Sequence, residues 1–296
     1  PVLAAEVLEL LVPAKGRVKI LDGTTGFGGH SSLILKKNSE AELLGFDQDR
    51  KALSYAEKAL SFAGNRVHLV KDKFSNLAER TIEKGWLSVD AILLDLGVSS
   101  YQIDSPERGF SYRLNGPLDM RMDCESSVTA AQILNTASEE ELEFIFREYG
   151  DIRMSQRLVK ALIARRREAP WHGTAEFANF CNSVLGAQRR LGLQAATLCF
   201  QALRIAVNDE INELRKALEA SLKILAPGGK IAVISFHSLE DGTVKRFFKR
   251  ESQDCICPVE FFNCKCGHKK TLNILTKKPI VPAEEEIKRN PRATSA

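Results

Sequence analysis

The sequence predicts an α/β protein in which a parallel β-sheet is interrupted by a long helical insertion. Short apolar runs alternate with helical patterns over the first hundred residues, and this alternation stops near Asp104 and returns at Lys230. Apolar strands separated by helices are typical of a parallel sheet that is covered on both faces. The chain has 296 residues, which is enough for one large domain or two modest ones.

Four apolar runs mark the predicted strands of the first third of the chain, at residues 18–22, 42–47, 66–70 and 90–96. Residues with helical spacing fill the gaps, notably over 52–63 and 77–85. Two further strands are predicted late in the chain, at 230–236 after a Pro-Gly-Gly turn and at 272–276. The expected sheet therefore combines strands from both ends of the chain.

The segment from residue 105 to residue 199 contains helical patterns only, over 130–149, 154–167 and 175–185. We predict that 105–199 is an inserted helical domain and that 1–104 and 200–296 form the α/β domain. Basic residues cluster in the insertion, and they are Arg153, Arg157, Lys160, Arg165, Arg166, Arg167, Arg189 and Arg190. A stripe of this kind is typical of phosphate contacts, and a solvated charged face is the alternative.

Composition argues against a membrane-spanning protein and a secreted disulfide-bonded protein, and it does not decide whether the protein binds nucleic acid. The net charge of +4, from 42 Lys and Arg against 38 Asp and Glu, is too small to indicate nucleic-acid binding by itself. No apolar run is long enough to cross a bilayer. Seven cysteines, an odd number, argue against a secreted disulfide framework, so we expect the reducing cytoplasm.

A glycine-rich run follows the first predicted strand and leads into a helix. It spans 22–30 and contains Gly23, Gly26, Gly28 and Gly29. Glycines allow a sharp turn close to a ligand, and the helix N-terminus offers free N–H groups. Asp47 closes the second strand, where a carboxylate can accept both hydroxyls of a ribose. The pattern indicates an adenine nucleoside, and the alternative is a glycine turn with a capping carboxylate.

NAD and S-adenosylmethionine are the two candidate nucleosides. Adjacent Gly28 and Gly29 break the Gly-x-Gly-x-x-Gly spacing that positions a pyrophosphate, which favours S-adenosylmethionine. Its methionine ammonium needs acceptors, which the region from Asp22 to Gly28 can supply. Phe74 follows the third strand and could flank the adenine, although core packing is the alternative. Asp95 ends the fourth strand, where an unpaired carboxylate is costly without a function.

Several longer motifs resemble the bacterial family of 16S ribosomal RNA cytosine-N4 methyltransferases. The most specific are Gly-Pro-Leu-Asp-Met-Arg-Met-Asp at 116–123 and Ser-Phe-His-Ser-Leu-Glu-Asp at 235–241. The others are at 22–24, 28–30, 93–100, 102, 106–111 and 200–208. Their joint appearance in this order extends the resemblance over nearly the whole chain.

The resemblance implies a class I (Rossmann-like) fold, S-adenosylmethionine as the methyl donor, and a target cytosine of 16S ribosomal RNA in the decoding centre of the small ribosomal subunit. It implies that the helical insertion recognises the substrate. It also implies the residues that bind the donor, which are Gly28, Gly29, His30, Asp47, Phe74, Asp95 and Gln102. Gln102 is the one member that the residue patterns alone do not suggest.

The chain departs from the family pattern in three places. A run that usually reads His-Pro-Ala-Thr-Arg/Lys-Thr-Phe is Gln-Ala-Ala-Thr-Leu-Cys-Phe at 194–200, which loses two polar or basic groups. Asp151 and Ile152 stand where the family has an acidic pair, and the basic tail that the family leads us to expect beyond 290–292 is cut off. These departures bear on the RNA contacts and leave the donor site intact.

Asp95 and His237 are the candidate catalytic residues. An exocyclic amine is a poor nucleophile, so an acceptor for one of its N–H groups would assist attack, and the product must release a proton. Asp95 is the first candidate for this acceptor, although the donor could occupy it instead. His237 and Ser235 are second candidates, with a structural hydrogen bond as the alternative role for His237. Tyr101 and Phe110 are candidate stacking surfaces for an extruded base.

Four cysteines and a histidine lie close together in sequence near the C-terminus. They are Cys255, Cys257, Cys264, Cys266 and His268. Such ligands suit zinc. The Cys-x-Cys spacing is tighter than the usual zinc knuckle, however, so the sequence alone predicts no metal site and favours a redox-labile hairpin. Two rival functions also remain open, an NAD-dependent oxidoreductase and an RNA-binding module without catalytic activity.

Overall fold

The computed structural model describes residues 1–186, 194–258 and 264–296, and the predicted RNA contacts Arg189 and Arg190 lie outside these ranges. The chain divides into two compact units. The first comprises Pro1–Gly97 and Ile211–Ala296, and the second comprises Val98–Glu210. The second unit begins before and ends after the insertion predicted at 105–199.

The first unit is built on a five-stranded sheet in which every pair of neighbours is parallel. In chain order the strands are β1 Val18–Asp22, β2 Ala41–Asp47, β3 Val67–Lys71, β4 Val89–Asp95 and β5 Leu225–Ile234. Across the sheet they run β3-β2-β1-β4-β5. The order reverses between β1 and β4, which is the switch point where ligands bind in sheets of this kind. The predicted Rossmann-like α/β class is confirmed.

Helices connect the strands and build the second unit. In chain order they are α1 Ala4–Leu11, α2 Gly29–Lys37, α3 Arg50–Ala59, α4 Leu77–Glu83, α5 Ser100–Asp104, α6 Ala130–Thr136, α7 Glu139–Phe144, α8 Ser155–Glu168, α9 Thr174–Leu185, α10 Ala195–Asn208, α11 Glu210–Ile224, α12 Ser238–Glu251 and α13 Glu284–Arg289. Short 3₁₀ turns at Ser61–Arg66 and Phe74–Asn76 lead into and out of β3. No helix among the described residues has the length and apolar character needed to cross a membrane.

Each face of the sheet carries its own apolar core, because successive strand residues point to opposite faces. Ile20, Leu43 and Leu93 belong to the core that α1, α2 and α3 cover. Their neighbours Leu21, Leu44 and Leu94 belong to the core that α4, α11 and α12 cover. Burial on both faces explains why these strands read as continuous apolar runs in the sequence.

The second unit has a separate helical core, which includes the fully buried Trp171. Arg166 donates to the carbonyls of Leu134 and Ala137 at 2.9 Å each, so it caps the end of α6. Arg165 pairs with Glu176 and lies over the ring of Trp171. These two members of the predicted phosphate-binding cluster therefore hold the unit together.

Three predicted elements differ from the structure. Residues 272–276 do not form a strand: the amides of Thr271 and Leu272 donate to the carbonyl of Glu251, and the side chain of Leu275 is 64% exposed. The helix predicted over 130–149 breaks between α6 and α7, because the Ser138 hydroxyl caps a new helix start. Strand β5 begins at Leu225, before the Pro-Gly-Gly turn, which forms an irregularity in its pairing with β4.

Candidate active site

The predicted site residues of the first unit meet at one edge of the sheet. Asp22, Asp47 and Asp95 each end a strand, and the parallel register places Asp47 and Asp95 level with each other, two residues beyond the level of Asp22. Adjacent strands lie about 4.8 Å apart, and β1 separates β2 from β4, so Asp47 and Asp95 flank the switch point about 10 Å apart along the edge. The glycine-rich loop that follows β1 lies at this point.

Asp22 anchors the glycine-rich loop. Its side chain is 1% exposed, and its oxygens accept hydrogen bonds from the Ser31 hydroxyl (2.6 Å) and the Thr24 amide (3.1 Å). Burial raises the pKa of this carboxyl, although the Ser31 hydrogen bond opposes the shift. Because Asp22 is almost completely enclosed by the protein, unlike the partly exposed Asp47, we assign Asp22 to the architecture of the loop and leave it out of the donor-binding set.

Asp47 joins the loop to the end of β2. Its Oδ2 accepts the Gly26 amide at 2.9 Å, and its Oδ1 accepts the Asp49 amide at 2.8 Å. Burial raises the pKa of Asp47 to about 6, with the two amide hydrogen bonds opposing the shift. The side chain is half-buried, and each oxygen keeps lone pairs for further donors. A ribose diol supplies two such donors.

Asp95 and His30 form a pair with unmet hydrogen-bonding capacity. His30 Nε2 lies 3.4 Å from Asp95 Oδ2, and among the described residues neither His30 Nε2 nor Asp95 Oδ1 has a hydrogen-bond partner, although both atoms are buried. The Asp95 amide donates to the Thr24 hydroxyl at 2.6 Å, which fixes the end of β4 to the loop. An unsatisfied buried polar atom costs about 1–3 kcal/mol, which makes these two atoms candidates for contacts with a bound ligand.

Glycines allow the loop after β1 to turn and to pack closely against its neighbours. Gly28 has φ +81° and precedes α2, which begins without a side-chain cap, so the first amides of α2 have no partner inside the helix. A Cβ on Gly23 would lie 2.4 Å from Leu94 Cδ2 and 3.2 Å from Phe74 Cβ. The loop therefore passes directly against β4 and Phe74, which brings the predicted adenine-flanking residue next to the glycine-rich loop.

His237 lies beyond the end of β5 and caps α12. Its Nδ1 accepts the Glu240 amide at 3.5 Å, and its Nε2 lies 3.1 Å from Glu240 Oε1. The same carboxylate accepts the Phe236 amide at 2.8 Å through Oε2. Nδ1 therefore has the structural role of capping α12, whereas Nε2 is buried and makes no hydrogen bond among the described residues, so the catalytic role of His237 stays a prediction.

Gln102 belongs to the second unit, and its local role is clear. Gln102 Oε1 accepts the Ser99 amide at 2.9 Å, while the Ser99 hydroxyl accepts the Gln102 amide at 3.2 Å. This is a capping box at the start of α5, and it buries the glutamine to 6% exposure. Its predicted contact with the methyl donor stays a prediction.

Sequence reasoning missed the polar residues that position the acids. Thr24 and Ser31 hold Asp95 and Asp22, and Thr25 donates to the Asp22 carbonyl at 3.2 Å. It also missed a ring stack between Phe27 and Tyr55, with centroids 4.8 Å apart and both side chains exposed beside the glycine-rich loop. The Thr-Thr pair inside the glycine run could have indicated these contacts, because hydroxyls at the end of a strand can bond to the neighbouring backbone and acids.

Comparison with known proteins assigns the chain to a family. The model of the MraW methylase family matches residues 1–296, which is the full length. The chain belongs to this family. Membership in a methylase family confirms S-adenosylmethionine as the cofactor, and the NAD-dependent alternative is dropped.

Relatives of this MraW family protein match it from end to end. A protein of Heliobacterium modesticaldum is 47% identical over 299 residues, which cover 100% of this chain and 95% of the relative. A protein of Carboxydothermus hydrogenoformans is 46% identical over 296 residues, covering 100% and 94%. One of Solidesulfovibrio magneticus is 48% identical over 300 residues, covering 100% and 92%. All three are named ribosomal RNA small subunit methyltransferase H.

Proposed function

We propose that this protein transfers a methyl group from S-adenosylmethionine to the exocyclic N4 amine of a cytidine in 16S ribosomal RNA, in the decoding centre of the small ribosomal subunit in the cytoplasm. Family membership supports methyl transfer, and the names of the relatives support small-subunit ribosomal RNA as the substrate. The observation that carries the proposal is the Asp95–His30 pair at the switch point of the sheet, in which Asp95 Oδ1 and His30 Nε2 are buried atoms without a hydrogen-bond partner among the described residues.

The donor would lie along the edge from Asp47 to Asp95. Asp47 would accept the ribose hydroxyls, and the uncapped first turn of α2 after Gly28 and Gly29 would receive the methionine carboxylate. Phe74 would flank the adenine, and His30 would contribute its unsatisfied Nε2 to the polar end of the donor. S-adenosylmethionine supplies, when bound, a methyl group already activated by its sulfonium.

Asp95 is the proposed proton acceptor. The lone pair of an exocyclic amine is delocalised into the cytosine ring, and an acceptor on one N–H localises it on nitrogen. Asp95 Oδ1 is a carboxylate oxygen without a protein partner among the described residues, which suits this role. His237 accepts the Glu240 amide through Nδ1 and keeps a buried Nε2 without a hydrogen-bond partner among the described residues, so it stays the second candidate for this role.

Binding of S-adenosylmethionine should weaken below pH 6, because Asp47 has a pKa of about 6 and the ionised carboxylate is the better acceptor for ribose hydroxyls. We expect the Kd for S-adenosylmethionine to be constant from pH 7 to 8 and to rise about tenfold per unit as the pH falls below 6. Protonation of a group whose folded pKa exceeds its unfolded pKa favours the folded state, so Asp47 does not cause acid unfolding in this range. Calorimetric titration at each pH measures the effect.

In the Asp47→Asn variant the pH dependence should disappear, because no titrating carboxyl remains at this position. Equal affinity of the unaltered protein at pH 7.5 and pH 5 would contradict the role assigned to Asp47. Circular dichroism at each pH separates a change in affinity from a change in folding.

The proposed RNA-binding surface is the exposed basic stripe at the start of α8. Arg153, Arg157 and Lys160 are exposed, and among the described residues their side chains make no hydrogen bond or ion pair. Replacing all three with Ala should weaken binding to 16S ribosomal RNA at least tenfold and lower the slope of log K against log salt by about 2 to 3. Filter binding over a range of salt concentrations gives both values.

A matched triple variant, Lys15, Arg17 and Lys58 to Ala, removes the same charge from exposed positions of the first unit. It should leave the salt slope within about one of the unaltered protein. If both triple variants reduce the slope equally, the stripe has no special role and the binding is a general charge effect.

The experiment that tests the proposed function is methyl transfer to small subunits purified from cells that lack this modification. Isotope-labelled S-adenosylmethionine is the donor, and the RNA is digested to nucleosides and analysed by mass spectrometry. The expected product is N4-methylcytidine carrying one labelled methyl group. Label on another nucleoside would overturn the base assignment, and RNA binding without label would favour the module without catalytic activity.

A further inference from the structure

The cysteine tract between α12 and the C-terminal segment folds its four thiols into one cluster. The Sγ atoms of Cys255, Cys257, Cys264 and Cys266 all lie within 4.8 Å of one another. Cys264 and Cys266 have their sulfurs 3.6 Å apart, and Cys255 and Cys266 have theirs 3.8 Å apart. The cluster therefore brings together two Cys-x-Cys pairs whose nearest members, Cys257 and Cys264, are seven positions apart in the chain, and it is far in sequence from the proposed donor-binding residues.

These separations match a tetrahedral site for a single metal ion. A zinc–thiolate bond is about 2.3 Å long, so the edges of a tetrahedral four-sulfur site are about 3.8 Å. A disulfide brings two sulfurs to about 2.0 Å, and all four cysteines are free thiols in the structure. A cluster of several iron atoms would need wider spacing, because the additional atoms lie between the thiolates.

Backbone amides are directed at the sulfurs. The Ile256 amide donates to Cys266 Sγ at 3.5 Å, the Cys257 amide to Cys255 Sγ at 3.4 Å, and the Lys265 amide to Cys257 Sγ at 3.3 Å. Hydrogen bonds of this kind orient metal ligands and stabilise their negative charge. Each Cys-x-Cys turn thus donates at least one backbone amide to a sulfur of the cluster. A hairpin whose thiols shared no ligand would not need these hydrogen bonds.

His268 is not part of the cluster, although its position in the sequence made it a candidate. Its Nε2 lies 3.0 Å from the carbonyl oxygen of Arg250, which ties it to the end of α12. The candidate metal ligands are therefore four cysteine sulfurs, with no oxygen or nitrogen atom among them. Soft thiolates in tetrahedral geometry select zinc over the hard cations magnesium and calcium.

We propose that Cys255, Cys257, Cys264 and Cys266 bind one structural zinc ion. The ion would replace four thiol protons, which are released to solvent, and no redox step is involved. The cluster follows α12, where Glu251 accepts the Thr271 hydroxyl at 2.8 Å and its carbonyl accepts the amides of Thr271 and Leu272. Zinc would therefore close the loop whose two ends these hydrogen bonds already hold together.

The test is the metal content of the full-length protein, purified without chelators and dialysed against metal-free buffer. Plasma mass spectrometry should find about one zinc per chain. The Cys257→Ser/Cys264→Ser double variant should retain less than about a tenth of this, whereas Cys124→Ser, which removes an exposed thiol outside the cluster, should retain all of it. Less than a tenth of a zinc per chain in the unaltered protein, or bound iron, overturns the proposal.

A second measurement does not depend on the double variant folding. Zinc is removed from the unaltered protein with a chelator, and Co²⁺ is added in its place. The visible bands of tetrahedral Co²⁺–thiolate should appear in the unaltered protein and in Cys124→Ser, and zinc should displace them and raise the melting temperature. Absence of the bands in protein whose thiols are fully reduced overturns the proposal, as does a disulfide between two of these cysteines in the intact mass of freshly purified protein.

Discussion

Replacing Asp95 with Asn should lower the rate of methyl transfer at saturating S-adenosylmethionine by about a thousandfold. Asn is isosteric with Asp, and the backbone amide of residue 95 still donates to the Thr24 hydroxyl, so the end of β4 should keep its position. The variant lacks the carboxylate that is proposed to accept the amine proton, and general base catalysis typically contributes between about a hundredfold and ten-thousandfold. Single-turnover transfer to undermethylated small subunits measures the loss.

The matched control for Asp95 is Asp90→Asn, at the opposite end of the same strand. The exposed Asp90 side chain accepts the Lys19 amide at 2.8 Å. This contact is remote from the proposed site, so the Asp90→Asn change should leave the transfer rate within about twofold. The Kd for S-adenosylmethionine separates two roles of Asp95. If Asp95→Asn raises the Kd for S-adenosylmethionine about a thousandfold and the transfer rate at saturating donor stays normal, Asp95 only binds the donor and is not the proton acceptor.

Replacing Asp47 with Ala should raise the Kd for S-adenosylmethionine at least about a hundredfold. The change removes the acceptor proposed for two ribose hydroxyls, and each hydrogen bond to a charged group contributes about 1.5–3 kcal/mol. It also leaves the Gly26 and Asp49 amides without their acceptor, which loosens the glycine-rich loop. Isothermal titration calorimetry measures the affinity, and the melting temperature without ligand shows whether the variant is folded.

Glu42→Gln, near the opposite end of β2, is the matched control for Asp47 and should leave the affinity unchanged. The catalytic rate at saturating donor should remain close to normal in Asp47→Ala, because the methyl group is transferred at the other side of the switch point. Unchanged affinity in a folded Asp47→Ala protein would show that the donor binds elsewhere on the molecule.

The sheet and the carboxylates at its edge were predictable from the sequence because their signals are local. Burial on both faces makes β1, β2 and β4 read as apolar runs, and a parallel sheet brings the residues after each run to one edge. The segment 272–276 carries a similar apolar pattern but does not form a strand, since pairing depends on which backbone partners are near. Those partners are set by the whole fold, and here the Thr271 and Leu272 amides bond to Glu251.

The individual roles within the site were harder to predict, because they depend on contacts between distant residues. Asp22 and Asp95 look equivalent in the sequence, yet Ser31 and Thr24 occupy the first while the Oδ1 atom of the second is left without a partner among the described residues. Arg166 looks like a phosphate ligand but caps α6. The cysteine cluster depends on a fold that brings two Cys-x-Cys pairs together, which spacing alone does not reveal.

The structure of the protein crystallised with S-adenosylmethionine tests the central claim most directly. The nucleoside is expected along the C-terminal edge of β1, β2 and β4, with both ribose hydroxyls bonded to the Asp47 carboxylate and the methyl-bearing sulfur on the side of Asp95. A nucleoside bound away from this edge, or one whose ribose makes no contact with Asp47, would contradict the account.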